Sequence, residues 1–163
     1  MEKINSDYVR ELYNKATKNN YEYWRWKSSL SRKKQYQQTL KSLLFHIGDS
    51  FFEDLLEVGC GPGTWTRILT KRCKNITIVD ISEEMIKVAR RRLSPKKVKC
   101  IVGDFQDPEL SFPSKYDAIF CIRAIEYMDF ANSWIPPCLW SSGTIYNILT
   151  LLSPHIESNC FGL

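Results

Sequence analysis

At 163 residues the chain has room for one domain and little more. Its composition, 44% hydrophobic and 25% charged, matches folded soluble proteins and excludes disorder for most of its length, because that much apolar surface offsets chain-ordering entropy. A net charge of +5 is mildly basic and too weak by itself to imply nucleic acid, so DNA is not expected as a partner.

The N-terminal third reads as helical. Ser6 or Asp7 can cap a first helix on which Val9, Leu12, Tyr13 and Ala16 recur at helical spacing, and Asn19-Asn20 ends it. An aromatic cluster follows, Tyr21, Tyr23, Trp24 and Trp26, interleaved with Arg25 and Lys27. A second helix fits Ser31 to Ile47, with Tyr36, Leu40, Leu43, Leu44 and Ile47 on one side and Gly48 past its end.

After Gly48 short apolar runs alternate with helical segments. Asp54–Val58 reads as a strand, Thr64–Arg72 as a helix and Asn75–Val79 as a second strand. Ser82 then caps a helix from Glu83 to Leu93, with two acids at its start and Arg90-Arg91-Arg92 near its end, as the helix dipole favours. Val98–Val102 and Tyr116–Cys121 give a third and a fourth strand. This repetition predicts an α/β fold: a Rossmann-like, mostly parallel sheet with crossover helices on its faces. The expected organisation is a helical extension or lid over 1–50, the sheet domain over 51–152 and an irregular tail over 153–163.

Three of the seven glycines stand in Gly59-Cys60-Gly61-Pro62-Gly63, directly between the first strand and its helix. Glycines there let the backbone turn sharply and let a ligand approach without meeting a Cβ. The carboxyl ends of strands in an open α/β sheet are where ligands bind. The second strand ends in Asp80, an acid placed to accept hydrogen bonds from ribose hydroxyls. A dinucleotide fingerprint would need glycine at the sixth position of G-x-G-x-x-G, and Thr64 stands there instead. Glu57 would also set a negative charge near a pyrophosphate, whereas it suits a ligand carrying an amine and a sulfonium.

The run Leu55-Leu-Glu-Val-Gly-Cys-Gly-Pro-Gly-Thr-Trp65 resembles the first motif of the class I S-adenosylmethionine-dependent methyltransferases. Ile78-Val-Asp-Ile-Ser-Glu-Glu-Met85 resembles their second, Gly103-Asp-Phe105 their third, and Asp117–Glu126 their fourth. The resemblance covers about Phe52 to Met128, in the family's order and at its spacings. It implies S-adenosyl-L-methionine as cofactor. Gly59, Cys60, Gly61 and Gly63 would pass along its methionine portion, and Glu57 would position its amine. Asp80 would bind the ribose and Ile81 pack on the adenine, while Asp104, beside Phe105, would accept from the adenine amino group. Arg123 to Glu126 would line the floor where methyl group and acceptor meet. The aromatic–basic segment Tyr21–Lys27 fits either an entry lid, as in proteins of this kind, or a packed helix junction with snorkelling cations.

Methyl transfer from a sulfonium chiefly requires alignment, and a general base only where the acceptor must lose a proton early. Glu126, Tyr127 and Asp129 are the nearest candidates for that base, and no catalytic residue is assigned. His46 and His155 read as structural or exposed. The basic run Arg90–Arg92 with Lys96, Lys97 and Lys99 reads as a solvated helix end, and Cys60 as a small, unactivated residue beside the ligand.

The cysteines at 60, 73, 100, 121, 138 and 160 form no Cys-x-x-Cys pair, so reduced thiols, no metal site and a cytoplasmic location are expected. No secretion signal and no apolar stretch of about 20 residues is apparent, so no membrane span is expected. Composition shifts sharply near the end: from Phe130 to Leu163 the only charged side chain is Glu157. Leu139–Leu149 can be laid on the family's fifth strand, but Pro136-Pro137 interrupts the helix before it, and too little chain follows Leu152 for a closing hairpin. The reading is therefore of a methyltransferase with incomplete C-terminal strands, acting on a small-molecule acceptor. The alternative is an inactive cofactor-binding fragment or a non-catalytic subunit. An exposed sheet edge would favour self-association or a partner subunit.

Overall fold

The computed structural model describes residues 5–112, 115–124 and 127. Three helices come first: α1 (Ser6–Lys18), α2 (Tyr21–Trp26) and α3 (Leu30–Ile47). Strands and helices then alternate as β1 (Phe52–Val58), α4 (Thr66–Leu69), β2 (Cys73–Asp80), α5 (Glu83–Arg92), β3 (Val98–Val102) and β4 (Ala118–Cys121). The four strands are parallel and ordered β3-β2-β1-β4. The chain leaves β1 toward β2 on one side and returns as β4 on the other, so the sheet reverses its strand order at β1. A crevice opens at such a point, outside the carboxyl ends of the strands.

The strands read as continuous apolar runs because both faces are covered. Leu55, Ile76, Ile78, Ala118 and Phe120 pack on one face with Trp26, Leu43, Ile47, Leu69, Ile86 and Ala89, so helices α2 to α5 share one core with the sheet. Leu56, Val58, Val79 and Ile119 pack on the other face with Tyr116 and the partly buried Phe105, Leu110 and Phe112. Leu55 and Leu56 are adjacent and both fully buried, one on each face, and each contributes roughly 1.5–3 kcal/mol by leaving water. At the amino ends of the strands, Asp117 accepts the N–H groups of Glu53 (2.7 Å) and Asp54 (3.0 Å), pinning β4 beside β1.

Several local expectations shift. The cap of α1 is Asn5, whose side chain accepts from the N–H groups of Asp7 and Tyr8; Ser6 is thereby free to bond elsewhere. Leu44 lies off the buried face of α3 and is 46% exposed. The helix expected over Thr64–Arg72 narrows to four residues, with turns on either side. Thr64, Thr66, Ile68 and Thr70 are β-branched and disfavour a longer helix. The aromatic segment Tyr21–Trp26 is itself a short helix. The fifth-strand stretch 139–149, Pro136-Pro137, His155 and the tail 153–163 lie outside the described residues.

Candidate functional site

The glycine loop follows β1 and turns over the end of β2. Gly59 (φ +69°), Gly61 (φ +53°) and Gly63 (φ +81°) all adopt the left-handed backbone that side chains disfavour. Their surroundings differ. A Cβ on Gly59 would stand 2.1 Å from the Cβ of Ala124, so this glycine lets the loops after β1 and β4 touch. A Cβ on Gly63 would meet Leu93 at 3.1 Å and Ala89 at 3.6 Å, so the third glycine seats the loop on α5. A Cβ on Gly61 would meet nothing within 4 Å, and Gly61 lines an open cleft.

That cleft measures about 860 Å³ to its open mouth and sits at the carboxyl ends of all four strands. Asp80 is at its centre: one carboxylate oxygen accepts the Gly61 N–H (2.7 Å) and the other the Ser82 N–H (2.9 Å). Burial raises its carboxyl from 3.8 to about 6, against the lowering effect of those two bonds. Ile81 lines the same wall. Ser82 caps α5 through the Met85 N–H (3.2 Å) and itself donates to Asn14 of α1 (2.7 Å).

Glu57 lies at the end of β1 and does not line the cleft. It is fully buried, one oxygen accepting from Thr66 (2.6 Å) and the other, Oε1, having no hydrogen-bond partner among the described residues. Burial, reinforced by Asp80, pushes its carboxyl from 4.5 up to about 8. At neutral pH the group is therefore mostly protonated, and a cation brought near its open oxygen would favour the ionised form.

Asp104 and Phe105, after β3, line the cleft, and Asp104 accepts from Ser6 of α1 (2.5 Å) and from the Gln106 N–H (2.9 Å). Arg123, after β4, lines it too, with a left-handed backbone (φ +61°) that non-glycine residues rarely adopt. Cys60 is buried and its thiol pKa is raised by that burial, so it is a packing residue at neutral pH. Glu126 and Asp129 lie outside the described residues; Tyr127 lines the cleft. His46 bonds the Ser42 carbonyl one helical turn back, at 2.8 Å, and is absent from the cleft lining. Among the described residues no His, Cys, Asp and Glu cluster could hold a metal.

Helices α1 and α2 also contribute side chains to the cleft, and the sequence pattern does not single out those of α1. Ser6, Val9 and Tyr13 of α1 line it, as do Tyr21 and Trp26 of α2. Glu22 fastens α2 down, accepting from Thr64 (2.7 Å) beside the glycine loop and from Arg92 (2.6 Å) at the end of α5. Arg92 is thus a latch rather than a merely solvated residue. Within that segment Trp26 packs edge-on against Trp65 while Tyr21 lines the cleft.

This arrangement has known counterparts. The profile of a family described as "Methyltransferase domain" matches residues 55–135, spanning β1 through β4 and the cleft residues they carry. The chain belongs to the class I S-adenosylmethionine-dependent methyltransferases. Among curated relatives of this methyltransferase chain is a malonyl-[acyl-carrier protein] O-methyltransferase of Priestia megaterium, 32% identical over 57% of this chain and 35% of the relative. Nodulation protein S of Rhizobium tropici is 27% identical over 80% of this chain and 50% of its own length. The chain thus spans about a third to a half of these relatives. Among solved structures, N-methyltransferase NodS from Bradyrhizobium japonicum, in complex with S-adenosylhomocysteine, superposes with a TM-score of 0.59 at 20% identity, over 77% of this chain and 61% of that one. A DhpI complex reaches 0.67 at 18% identity, over 89% and 65%. They share the Rossmann-like fold.

Proposed function

We propose that this chain binds S-adenosylmethionine in the cleft and directs its methyl group to an oxygen or nitrogen of a small-molecule acceptor. The observation that carries this reading is Asp80 at the centre of the cleft, held between the Gly61 and Ser82 N–H groups where a ribose would be gripped, with Glu57 buried nearby and one of its oxygens unpartnered. The residues fit the cofactor: Gly61 offers open space where a side chain would stand, and Glu57 offers a buried carboxyl with one unpartnered oxygen, whose ionised form an ammonium would favour. When bound, the cofactor would supply an electrophilic sulfonium methyl group for an acceptor lone pair, with the carbon–sulfur pair remaining on sulfur as S-adenosylhomocysteine and the acceptor's proton passing to water.

The chain's own task is holding and alignment. The backbone of Gly59, Cys60 and Gly61 lies along the methionine portion, and Gly63 keeps that loop seated on α5. Asp80 takes the ribose hydroxyls. Ile81 packs on the adenine, whose amino group donates to Asp104 beside Phe105. Arg123 stands at the floor beside the acceptor. Helices α1 and α2 exclude water from above. The curated relatives named as O-methyltransferases of small metabolites and carrier-bound acyl groups support an acceptor of that class.

Calorimetric titration with S-adenosylhomocysteine tests this. The wild-type chain is expected to bind in the micromolar range, and Asp80→Ala to lose at least about tenfold, the worth of a charge-assisted hydrogen bond. A folded chain that does not bind overturns the reading.

A further inference from the structure

Between Glu22 and Asp49 the chain carries six Lys or Arg side chains and no Asp or Glu. That stretch forms α2, the turn 27–29 and α3. Helix α3 is two-sided. Thr39, Leu43 and Ile47 are buried, whereas Leu30, Lys34, Gln37, Lys41 and Phe45 recur every three or four residues on the opposite side and are exposed. Leu30 (77% exposed) and Phe45 (81%) thus stand in water at the two ends of one stripe, with lysines between them. Helix α2 divides in the same way: Trp26 packs inward on Trp65, while Tyr23 and Trp24 (60% exposed) stand outward in edge contact with each other. Lys27, Lys33, Lys34 and Lys41 are exposed, and none forms an ion pair with a described residue. Single exposed apolar side chains are ordinary on a protein surface, but here they share one face with unpaired cations.

We infer that the outer surface of α2 and α3 docks on a lipid bilayer bearing anionic headgroups. A nucleic acid would use the lysines but give no place to Leu30. A headgroup layer uses both kinds of side chain. The ammonium groups meet the anionic lipids, each worth about fivefold in affinity near such a surface. Leu30, Phe45, Tyr23 and Trp24 enter the boundary between headgroups and acyl chains, and the long lysine stems let their charged ends stay in water. Among the described residues no helix is long and apolar enough to cross a membrane, so α3 lies along the surface, its 18 residues spanning about 27 Å. Tyr21 and Trp26, on the inward side of α2, line the cleft, so the docking face is the outside of the cleft's roof. Docking of this kind does not depend on what the cleft holds.

Flotation of the whole chain with lipid vesicles tests this. Vesicles of equal parts phosphatidylglycerol and phosphatidylcholine are expected to carry the chain, phosphatidylcholine alone to bind it at least about tenfold more weakly, and added sodium chloride to weaken the binding. Lys33→Gln/Lys34→Gln should lose at least about tenfold in affinity and Leu30→Ser/Phe45→Ser at least about fivefold. Melting temperatures should stay within a few degrees of the wild type, since all four side chains are exposed. Anionic vesicles should shift tryptophan fluorescence to the blue, and Trp24→Phe should remove most of that shift. No flotation with anionic vesicles overturns the proposal. So does flotation that either double variant retains in full, or a blue shift that Trp24→Phe leaves unchanged. Two further results also overturn it: tighter binding of polyuridylate than of vesicles at equal salt, which assigns the lysines to nucleic acid, and a dimer of the free chain that Leu30→Ser/Phe45→Ser dissolves, which assigns the face to a second copy.

Discussion

Asp80 reaches nineteen residues back to take the Gly61 N–H at 2.7 Å, and with its other oxygen it holds the Ser82 N–H at 2.9 Å. One side chain thereby fixes both the glycine loop and the start of α5. That dual grip carries an electrostatic cost. Burial raises the carboxyl from 3.8 to about 6, so the folded chain retains a proton that the unfolded chain releases across that interval. The contribution of this group to stability is fully present below 3.8 and is lost as pH rises to about 6.

Asp80→Asn should separate stability from binding. The amide cannot accept both N–H groups, but it removes the buried charge, whose cost at neutral pH is on the order of 3 kcal/mol. The variant is expected to melt no more than a few degrees below the wild type at pH 7.5, with a flatter profile in acid, while its affinity for S-adenosylhomocysteine falls at least about tenfold. Melting curves and calorimetry on the same preparations check both halves. A variant that loses stability and binding in parallel would mean that Asp80 serves only to hold the loop.

Glu57 predicts the opposite dependence for the ligand. Its carboxyl rises from 4.5 to about 8, so its contribution to stability is lost as pH climbs through that window, by an amount on the order of several kcal/mol at the alkaline end. A ligand ammonium would favour the ionised form. Affinity for S-adenosylhomocysteine should therefore strengthen as pH rises toward 8, by at most about tenfold per unit, with a proton released on binding. Glu57→Gln should flatten both the melting profile and the affinity profile. Calorimetry in two buffers of different ionisation enthalpy measures the released proton directly. A pH-independent affinity in the wild type would remove Glu57 from the cationic end of the ligand.

The three loop glycines should fail in three different ways when changed to alanine. Gly59→Ala places a Cβ 2.1 Å from that of Ala124, and the chain is expected to fold poorly or not at all. Gly63→Ala crowds Leu93 at 3.1 Å at an unfavourable φ, a loss of roughly 1–3 kcal/mol in stability with a smaller effect on affinity. Gly61→Ala has room for its methyl group and should lose only about 1 kcal/mol, yet that methyl enters the cleft and should weaken S-adenosylhomocysteine binding severely. Melting temperature and dissociation constant, ranked across the three, must come out in different orders.

These glycines also mark how far the sequence is legible. Alternation of apolar runs with helical segments places β1, β2, β3, α5 and the glycine loop within a few residues, because a two-sided parallel sheet imposes that rhythm on its own chain. The acid at the end of β2 follows from the same pattern, whereas the β3-β2-β1-β4 order is seen only in the structure. What each glycine spares is invisible in one dimension, since Ala124 and Leu93 lie 65 and 30 residues further on. Glu57 is read correctly as an acid near the loop, but its burial depends on Thr66 and the sheet around it. The roof is the least legible part. Ser6, Asn14 and Glu22 find their partners 98, 68 and 42 residues away, and helix α2 has only six residues, too few for a helical period to declare itself.

Glu22 ties that roof to the site and permits a kinetic prediction. It accepts from Thr64 at 2.7 Å and from Arg92 at 2.6 Å, with Arg67 at 3.7 Å, linking α2 to the glycine loop, α5 and α4 together. Its side chain is 23% exposed, so solvent screening leaves the network worth only about 1 kcal/mol to global stability. The local effect should be larger, because α2 carries Tyr21 and Trp26 over the cleft on a helix too short to hold itself. Glu22→Gln is therefore expected to lower the melting temperature by only a few degrees and to speed S-adenosylhomocysteine release several-fold, with association less affected. Trp26 and Trp65, packed edge-on at 5.3 Å, give an intrinsic fluorescence signal beside the cleft for stopped-flow measurement. If the dissociation rate is unchanged, ligand release does not require α2 to lift, and the opening must lie along the α1 contact made by Ser6 with Asp104. Ser6→Ala would then be the variant that accelerates release.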